Sequence, residues 1–362
     1  MKLGLGLYRR QLSESNFRFA RQLGASHLVV HLVDYFSDED PRISAGGTDE
    51  GWGRAGDTTI WSRGALQDLV GAAKANGLEI AAIENFDPTQ WSDILLDGPE
   101  KHKQMDGLKR LIEDVGRAGI PCVGYCFSPA GVWGWQQGPF ARGGAISVGF
   151  DIDKIDPNES MPDGMVWNMR YRARRGNEVV GGTGPQELWD RLTWFLSELL
   201  PVAEASGVML AIHPEDPPVA SLRGIARVLN PPENLLRLME GFQSPAHKVE
   251  LCLGTVQEMA GSGIDTYQLL ERLLVRDQVG YVHLRNVRGK APHYHEVFID
   301  EGDLDVPRVI DTLHRRGYQG VVVPDHTPAL ECNAGWHAGM AYAVGYIRAL
   351  MQAAEAGRLE IP

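Results

Sequence analysis

The chain has few cysteines, no excess of positive charge and no long apolar run, and each absence excludes a class of protein. Cysteine accounts for 4 of its 362 residues, too few for the disulfide framework of a small secreted scaffold. Lysine and arginine number 35 against 47 aspartates and glutamates, which gives a formal net charge of −12. Such a chain repels the phosphates of nucleic acids. No run approaches the roughly 18 apolar residues of a membrane span. We therefore expect a cytoplasmic protein with neither a membrane nor a nucleic-acid partner.

Four potential metal ligands stand where β-rich runs end. The segments VMLAIH, KVELC, VGYVH and GVVVPD end in His213, Cys252, His283 and Asp325. The interval between one ligand and the next fits one strand plus one helix. Ligands at the carboxyl ends of consecutive strands converge when those strands form a closed parallel barrel. Imidazole, thiolate and carboxylate together suit zinc, iron, cobalt or manganese better than magnesium or calcium. The four positions therefore predict a transition-metal site.

Short β-rich runs alternate with helical segments along the whole chain. LGLGLY, HLVVHLV, LEIAAIEN and IPCVGYCF precede the four runs that carry the ligands, which makes eight. A polar, glycine-rich loop is expected from the second run to Arg54. Helices are predicted near residues 14–23, 62–75, 99–118, 186–206, 222–242, 265–276, 304–316 and 336–356. Such alternation indicates parallel strands joined by right-handed crossovers. Because no glycine-rich phosphate loop follows the first strand, we predict one (β/α)8 TIM barrel over residues 1–362, rather than an open doubly wound sheet.

Residues 128–184 interrupt the alternation after the fourth strand. This insertion contains GVWGWQQGPFARGGA, whose aromatic side chains suit a lid over a polyhydroxylated ligand. We also expect the protein to form a homo-oligomer, and a contact between its subunits is the alternative interpretation of these side chains. Just before the insertion, Cys122 and Cys126 share one strand face and are expected to pack in the core.

Several motifs resemble those of a known family. AIHPEDPP, VELCLGT, YVHLRNV and PDH, in this order, resemble the mannonate dehydratases, metal-dependent barrels of the xylose-isomerase-like type, and TTIW, AAIEN and GYCFSP extend the resemblance more loosely. The resemblance implies an enzyme of hexuronate catabolism. It implies that His213, Cys252, His283 and Asp325 bind the metal, usually Mn²⁺, with Fe²⁺, Co²⁺ or Zn²⁺ as alternatives. It also implies that His326 is the catalytic histidine.

The chemistry of that family gives these residues a physical role. Dehydration removes a weakly acidic proton next to a carboxylate, and a metal stabilises the charge that develops. A histidine either takes that proton or protonates the departing hydroxyl. Arg285 is expected to act with it by holding the substrate carboxylate, with an ion pair as the alternative. Glu84, Arg142 and Asn286 are expected to contact the substrate.

Two departures from the family pattern keep other activities open. The family's Arg-Pro-Asp-His-Gly begins here with Val323, and Trp336 stands nearest to the tyrosine proposed there as a second acid/base group. Tyr342 and Tyr346 follow it on the same predicted helix. The first hypothesis is a hydro-lyase that converts D-mannonate to 2-keto-3-deoxy-D-gluconate. A metal-dependent sugar isomerase or epimerase and a non-catalytic sugar-acid binding protein are the alternatives, and a barrel endonuclease is disfavoured by the acidic charge.

One further polar segment follows the seventh strand. PHYHEVF contains His293, His295 and Glu296, which together have the side chains of a second metal site. A solvated loop is the favoured interpretation.

Overall fold

Eight parallel strands close into a barrel. The computed structural model describes residues 1–35 and 55–359, so most of the loop predicted up to Arg54 lies outside the described residues. The barrel order is β1–β16–β13–β12–β9–β4–β3–β2, which confirms the predicted (β/α)8 architecture. The strands are β1 (Lys2–Leu7), β2 (His27–His31), β3 (Glu79–Glu84), β4 (Cys122–Tyr125), β5 (Trp135–Ala141), β6 (Ala145–Asp151), β7 (Met165–Val166), β8 (Met169–Arg170), β9 (Met209–Ile212), β10 (Ser221–Leu222), β11 (Ile225–Ala226), β12 (His247–Cys252), β13 (Val279–His283), β14 (Asn286–Lys290), β15 (His293–Val297) and β16 (Val321–Val323).

Helices surround the barrel. They are α1 (Glu14–Gln22), α2 (Arg63–Ala75), α3 (Pro88–Leu96), α4 (Lys101–Ala118), α5 (Pro185–Ser206), α6 (Pro232–Gly241), α7 (Leu253–Glu258), α8 (Thr266–Val275), α9 (Val306–Arg315) and α10 (Gly335–Glu355). The helix predicted over 222–242 begins only at Pro232, since β10 and β11 form an antiparallel pair before it. Proline is favoured at the first helical position because its φ is already helical. Within the described ranges, no helix combines the length and apolarity that a membrane crossing requires.

Helix α4 illustrates how the sequence builds the outer layer. Met105, Leu108, Ile112 and Val115 are buried and recur every three or four positions, so they form one face of the helix. Full burial of each such side chain contributes roughly 1.5–3 kcal/mol. The helix ends at Gly119, whose φ of 80° lies in the left-handed region that glycine adopts without steric cost.

A second sheet lies outside the barrel order. It is antiparallel and four-stranded, in the order β14–β15–β6–β5, and it joins the insertion 128–184 to the segment that follows β13. The pairing of His295 with Gly149 is part of its register. The segment PHYHEVF is therefore a paired strand and not the solvated loop that we expected. Side chains alternate between the faces of a strand, which buries Tyr294 and Glu296 and exposes His293. Closure of the insertion as a lid stays a prediction.

The barrel register decides which ligands become neighbours. Cys252 at the end of β12 pairs with His283 at the end of β13, and His283 pairs with Val323 at the end of β16. Asp325 follows Val323 by two positions, beyond the carboxyl end of β16. The strand ends of such a barrel surround its mouth, so the register brings these side chains together there.

Candidate active site

The four predicted ligands meet at the mouth of the barrel. One ring nitrogen each of His213 and His283 and the Sγ atom of Cys252 lie within 4.8 Å of one another. Asp325 Oδ1 is 3.6 Å from His283 Nδ1, and Asp325 Oδ2 is 3.7 Å from Cys252 Sγ. We call these four residues the ligand group.

The histidines of the ligand group suit a metal cation. His283 Nδ1 is buried and has no hydrogen-bond partner among the described residues. His213 Nδ1 lies 2.6 Å from the carbonyl oxygen of Pro214, so this nitrogen donates its hydrogen and Nε2 keeps its lone pair. Burial on its own would lower the pKa of His283, but the surrounding carboxylates, first Glu84 and then Asp325, raise it well above its usual value. These surroundings stabilise positive charge, which a bound cation supplies.

The surroundings of Cys252 favour its thiolate form. Burial would raise the pKa of its thiol, but the charge of Arg285 and polar contacts with the rings of His213 and His283 lower it to about 6. Thr255 Oγ1 lies 3.1 Å from the sulfur and adds a further polar contact. Because the thiolate is the form that binds metals, Cys252 fits its predicted role.

His326 is oriented by a carboxylate that the sequence did not indicate. Its Nδ1 lies 2.8 Å from Glu296 Oε1, and its Nε2 lies 3.4 Å from Asp325 Oδ1. Burial would lower the pKa of His326, but Asp325 and Glu296 raise it to about 9. The signal for Glu296 was the alternation of PHYHEVF, which places it on the same strand face as buried Tyr294.

Arg285 is enclosed by acidic side chains. Its Nε donates to Asp325 Oδ2 at 3.0 Å. Its Nη1 donates to Glu258 Oε1 at 2.5 Å and lies 3.1 Å from Glu296 Oε1. Its Nη2 donates to Asp216 Oδ2 and to Thr255 Oγ1, the latter at 2.9 Å. An arginine has five N–H groups. Four of them donate to these oxygens, and the Glu296 carboxylate lies beside Nη1, which carries the fifth.

These contacts argue against the predicted grip of Arg285 on a substrate carboxylate. The side chain is 1 % exposed, and no N–H group is left over for another acceptor. It instead ties Asp325 of the ligand group to Glu296, the partner of His326. Gly254 makes the approach possible, because a Cβ atom at that position would stand 2.5 Å from Arg285 Cγ.

Glu84 lies behind the ligand group, on the barrel axis. Its Oε2 is 3.1 Å from His283 Nε2 and 3.6 Å from His31 Nε2, and Glu250 Oε1 is 3.5 Å from His283 Nε2. Burial would raise the pKa of Glu84, but His31 and His283 lower it. Burial and the charge of Glu84 raise the pKa of Glu250. Glu84 therefore supports His283, and its predicted contact with the substrate stays a prediction.

Two other predicted substrate contacts have structural partners. The amide of Asn286 donates to the carbonyl oxygens of Ile299 and Leu304, both at 2.9 Å, and accepts from backbone N–H groups. Arg142 is half exposed, with 50 % of its side chain accessible, and it pairs with Asp300 at 2.9 Å. Asn286 therefore fixes the segment after β15, and Arg142 forms the surface ion pair that such residues usually form.

A cavity of about 460 Å³ opens beside the ligand group. Asp325, His326 and Glu296 line one part of it, and Tyr8 and Trp336 line other parts. No lysine or arginine belongs to its lining in the described part of the chain. The cavity therefore offers polar and aromatic surfaces to a small ligand next to the ligand group.

Sequence reasoning also passed over Cys126. It was expected to pack in the core, and it is buried. Its thiol also forms a hydrogen bond with His213, so a second sulfur adjoins the ligand group. Cys122 lies inside the barrel among small apolar residues.

A known protein family matches most of the chain. The family model described as D-mannonate dehydratase (UxuA) matches residues 52–360. The chain belongs to the D-mannonate dehydratase family. Membership identifies a hydro-lyase of the sugar-acid dehydratase type. Among similar curated proteins, mannonate dehydratase from Streptococcus agalactiae serotype V is 28 % identical over 282 residues, covering 74 % of this chain and 78 % of that protein. Mannonate dehydratase from Streptococcus pneumoniae (strain 70585) is 28 % identical over 278 residues, covering 74 % of each.

Solved structures show the same fold. Mannonate dehydratase from Streptococcus suis serotype 2 superposes with a TM-score of 0.75 at 23 % identity, covering 100 % of this chain and 95 % of that one. D-Psicose 3-epimerase from Clostridium cellulolyticum H10 gives a TM-score of 0.54 at 14 % identity, covering 100 % of both chains. Barrels of the xylose-isomerase-like type therefore share this architecture, and at these identities the likeness concerns the fold alone.

Proposed function

We propose that this chain dehydrates D-mannonate to 2-keto-3-deoxy-D-gluconate with Mn²⁺ held by the ligand group (His213, Cys252, His283 and Asp325). The observation that carries the proposal is that Asp325 of the ligand group and His326 line the same cavity. Family membership supplies the class of reaction, and the mixed imidazole, thiolate and carboxylate donors suit a transition metal. Fe²⁺, Co²⁺ and Zn²⁺ suit the same donors and are the alternatives to Mn²⁺.

His326 is the proposed base. Its Nδ1 is engaged by Glu296, which leaves Nε2 to take the proton next to the substrate carboxylate. The pKa of about 9 arises with the charge of Asp325 uncompensated. With a cation held by Asp325, that charge would be offset and the pKa of His326 would fall towards neutrality, where a base is most effective.

Among the described residues, no lysine or arginine lines the cavity to balance the charge of the substrate. When bound, the metal supplies Lewis-acid stabilisation of the substrate carboxylate and of the negative charge that develops next to it. Arg285 acts through other residues: it positions Asp325 through its Nε and Glu296 through its Nη1. Arg285 is therefore a positioning residue in this proposal.

The direct test is turnover of D-mannonate by Mn²⁺-loaded protein, followed as 2-keto acid formation. We expect wild-type turnover and a loss of about 10²–10⁴-fold in kcat for His326→Asn, the usual contribution of a general base. The matched control is His337→Asn. His337 lines the same cavity but bonds Asn16 Oδ1 at 2.9 Å rather than a carboxylate, so this variant should keep most activity.

A parallel incubation with D-psicose tests the epimerase alternative. Absence of 2-keto acid from D-mannonate by protein that demonstrably holds Mn²⁺ would contradict the proposal. Conversion of the keto sugar under the same conditions would then assign the site to epimerisation.

A further inference from the structure

The dehydration needs a second proton-transfer group that the expected positions do not supply. Trp336 lines the cavity, and an indole does not give up its proton at neutral pH. Tyr342 is 38 % exposed and packs its ring on Phe298. Neither Tyr342 nor Tyr346 belongs to the cavity lining as the structure describes it. The two tyrosines that the sequence offered as replacements therefore do not line the cavity that contains His326.

Tyr8 has the position that those tyrosines lack. It directly follows β1, which pairs with β16, the strand that leads into Asp325 and His326. It lines the cavity that holds His326, and it also lines a small void of about 10 Å³ bordered by Glu84 and His283. The Tyr8 side chain thus lies between the space for the substrate and the ligand group.

Two other polar groups of the cavity already have hydrogen-bond partners. Ser147 Oγ donates to the carbonyl oxygen of Glu296 at 2.7 Å. His337 is bonded to Asn16. A phenol also has a lower pKa than an aliphatic hydroxyl, which makes it the better proton donor.

We propose that the Tyr8 hydroxyl is the acid that protonates the departing hydroxyl group of the sugar acid. This inference rests on the proposed function. His326 takes the C2 proton, which leaves the C2–H electron pair next to the carboxylate. This pair then forms the C2–C3 double bond. The C3–O bond breaks, and its electron pair leaves on oxygen with the Tyr8 proton as water. The enol then becomes the 2-keto acid by losing its O–H proton and gaining one at C3. The proton on His326 restores Tyr8, so the cycle is balanced.

The electrostatic surroundings agree with an acid rather than a base. Burial first, and then the charges of Asp325 and Glu84, raise the pKa of Tyr8 above its usual value. The phenol is therefore protonated when the substrate arrives.

The test compares two substrates in the Tyr8→Phe variant. With D-mannonate we expect kcat to fall by about 10²–10⁴-fold, the range for loss of a general acid. With 3-deoxy-3-fluoro-D-mannonate, fluoride leaves without needing a proton, so the variant should stay within about tenfold of wild type. Exchange of the C2 hydrogen with D₂O should continue in the variant, because His326 is intact. Tyr342→Phe is the matched control, and it should keep activity on both substrates.

The outcomes separate this inference from the proposed function. Full activity of Tyr8→Phe on D-mannonate, or loss of fluoride release and C2 exchange with Mn²⁺ content unchanged, would overturn the role of Tyr8. Metal content measured on the same preparations identifies a variant whose ligand group no longer holds the metal. In that case Tyr8→Trp, which keeps an aromatic ring but has no phenol, must show the same substrate dependence. If wild type does not turn over D-mannonate at all, the proposed function fails first.

Discussion

The ligand group is supported from two sides, and the two sides are built differently. On the outer side, one guanidinium, that of Arg285, meets the carboxyl groups of Asp216, Glu258, Glu296 and Asp325. On the barrel axis, Glu84 and Glu250 face His283. Neither an arginine nor a lysine pairs with these two carboxyl groups among the described residues. We call these the Arg285 side and the axis side.

The comparison shows two ways to hold a metal ligand. On the Arg285 side every N–H group has an oxygen partner, so geometry is fixed before any metal arrives. On the axis side both oxygens of Glu250 and Oε2 of Glu84 are buried without a hydrogen-bond partner among the described residues. The His283 ring is the partner that balances the negative charge of these carboxyl groups. The carboxyl groups in turn control the orientation of the ring, as carboxylates behind metal-bound histidines do. The first side supplies rigidity and the second supplies charge.

The largest expected effect is on the Arg285 side. Arg285→Met leaves four buried carboxyl groups without their shared cation, and breaking a buried ion pair by removing one partner costs about 3–5 kcal/mol. Denaturant unfolding measures this loss. Arg142→Met is the control, because its half-exposed pair should contribute only about 0–1 kcal/mol. Equal losses in the two variants would contradict the contrast between buried and exposed pairs.

On the axis side, Glu84→Gln should act on the metal more than on the fold. The variant keeps the size of the side chain but removes the charge behind His283. Loss of such a partner typically weakens metal affinity by about 10–100-fold. Isothermal titration with Mn²⁺ gives the affinity. Unchanged affinity in Glu84→Gln would show that the axis side does not support the ligand group.

The smallest effect should come from Glu250→Gln, and it should depend on pH. Because the pKa of Glu250 is raised in the folded state, the native protein holds a proton that the unfolded chain releases. The free energy of unfolding therefore falls as the pH rises from the usual carboxyl pKa towards the raised one. Glu250→Gln should be nearly as stable as wild type in acid and more stable at higher pH. Unfolding curves of the metal-free proteins across pH measure this, and parallel pH dependences would contradict it.

The sequence predicted the architecture because periodicity records burial. Eight β-rich runs and the helices between them correspond to the barrel and its outer layer. Two helices, α3 and α7, were not predicted. Helix α7 follows Cys252 directly, so nothing in the sequence separates it from β12. The four-stranded sheet was also missed, because its strands come from distant segments and no local pattern records their pairing. The predicted cytoplasmic location and homo-oligomeric assembly stay predictions.

The site was partly predictable for a related reason. A ligand at a strand end has a local signature, and the sequence indicates all four members of the ligand group in this way. That these four residues bind a metal stays a prediction. The partners of those residues have none. Glu296 meets His326 only through the sheet β14–β15–β6–β5, and Arg285 was expected to bind substrate because its four acidic partners lie far from it in sequence. Long-range contacts of this kind become visible only in the folded chain.

We expect a metal to bind at the strand ends and not on the barrel axis. Both the group of His213, Cys252 and His283 and the group of Glu84, Glu250 and His283 offer ligand atoms within 4.8 Å of one another. Anomalous diffraction from crystals grown with Mn²⁺ distinguishes them most directly. We predict one peak, enclosed by His213, Cys252, His283 and Asp325. A peak between Glu84 and Glu250 instead, or no peak at either place, would contradict the account.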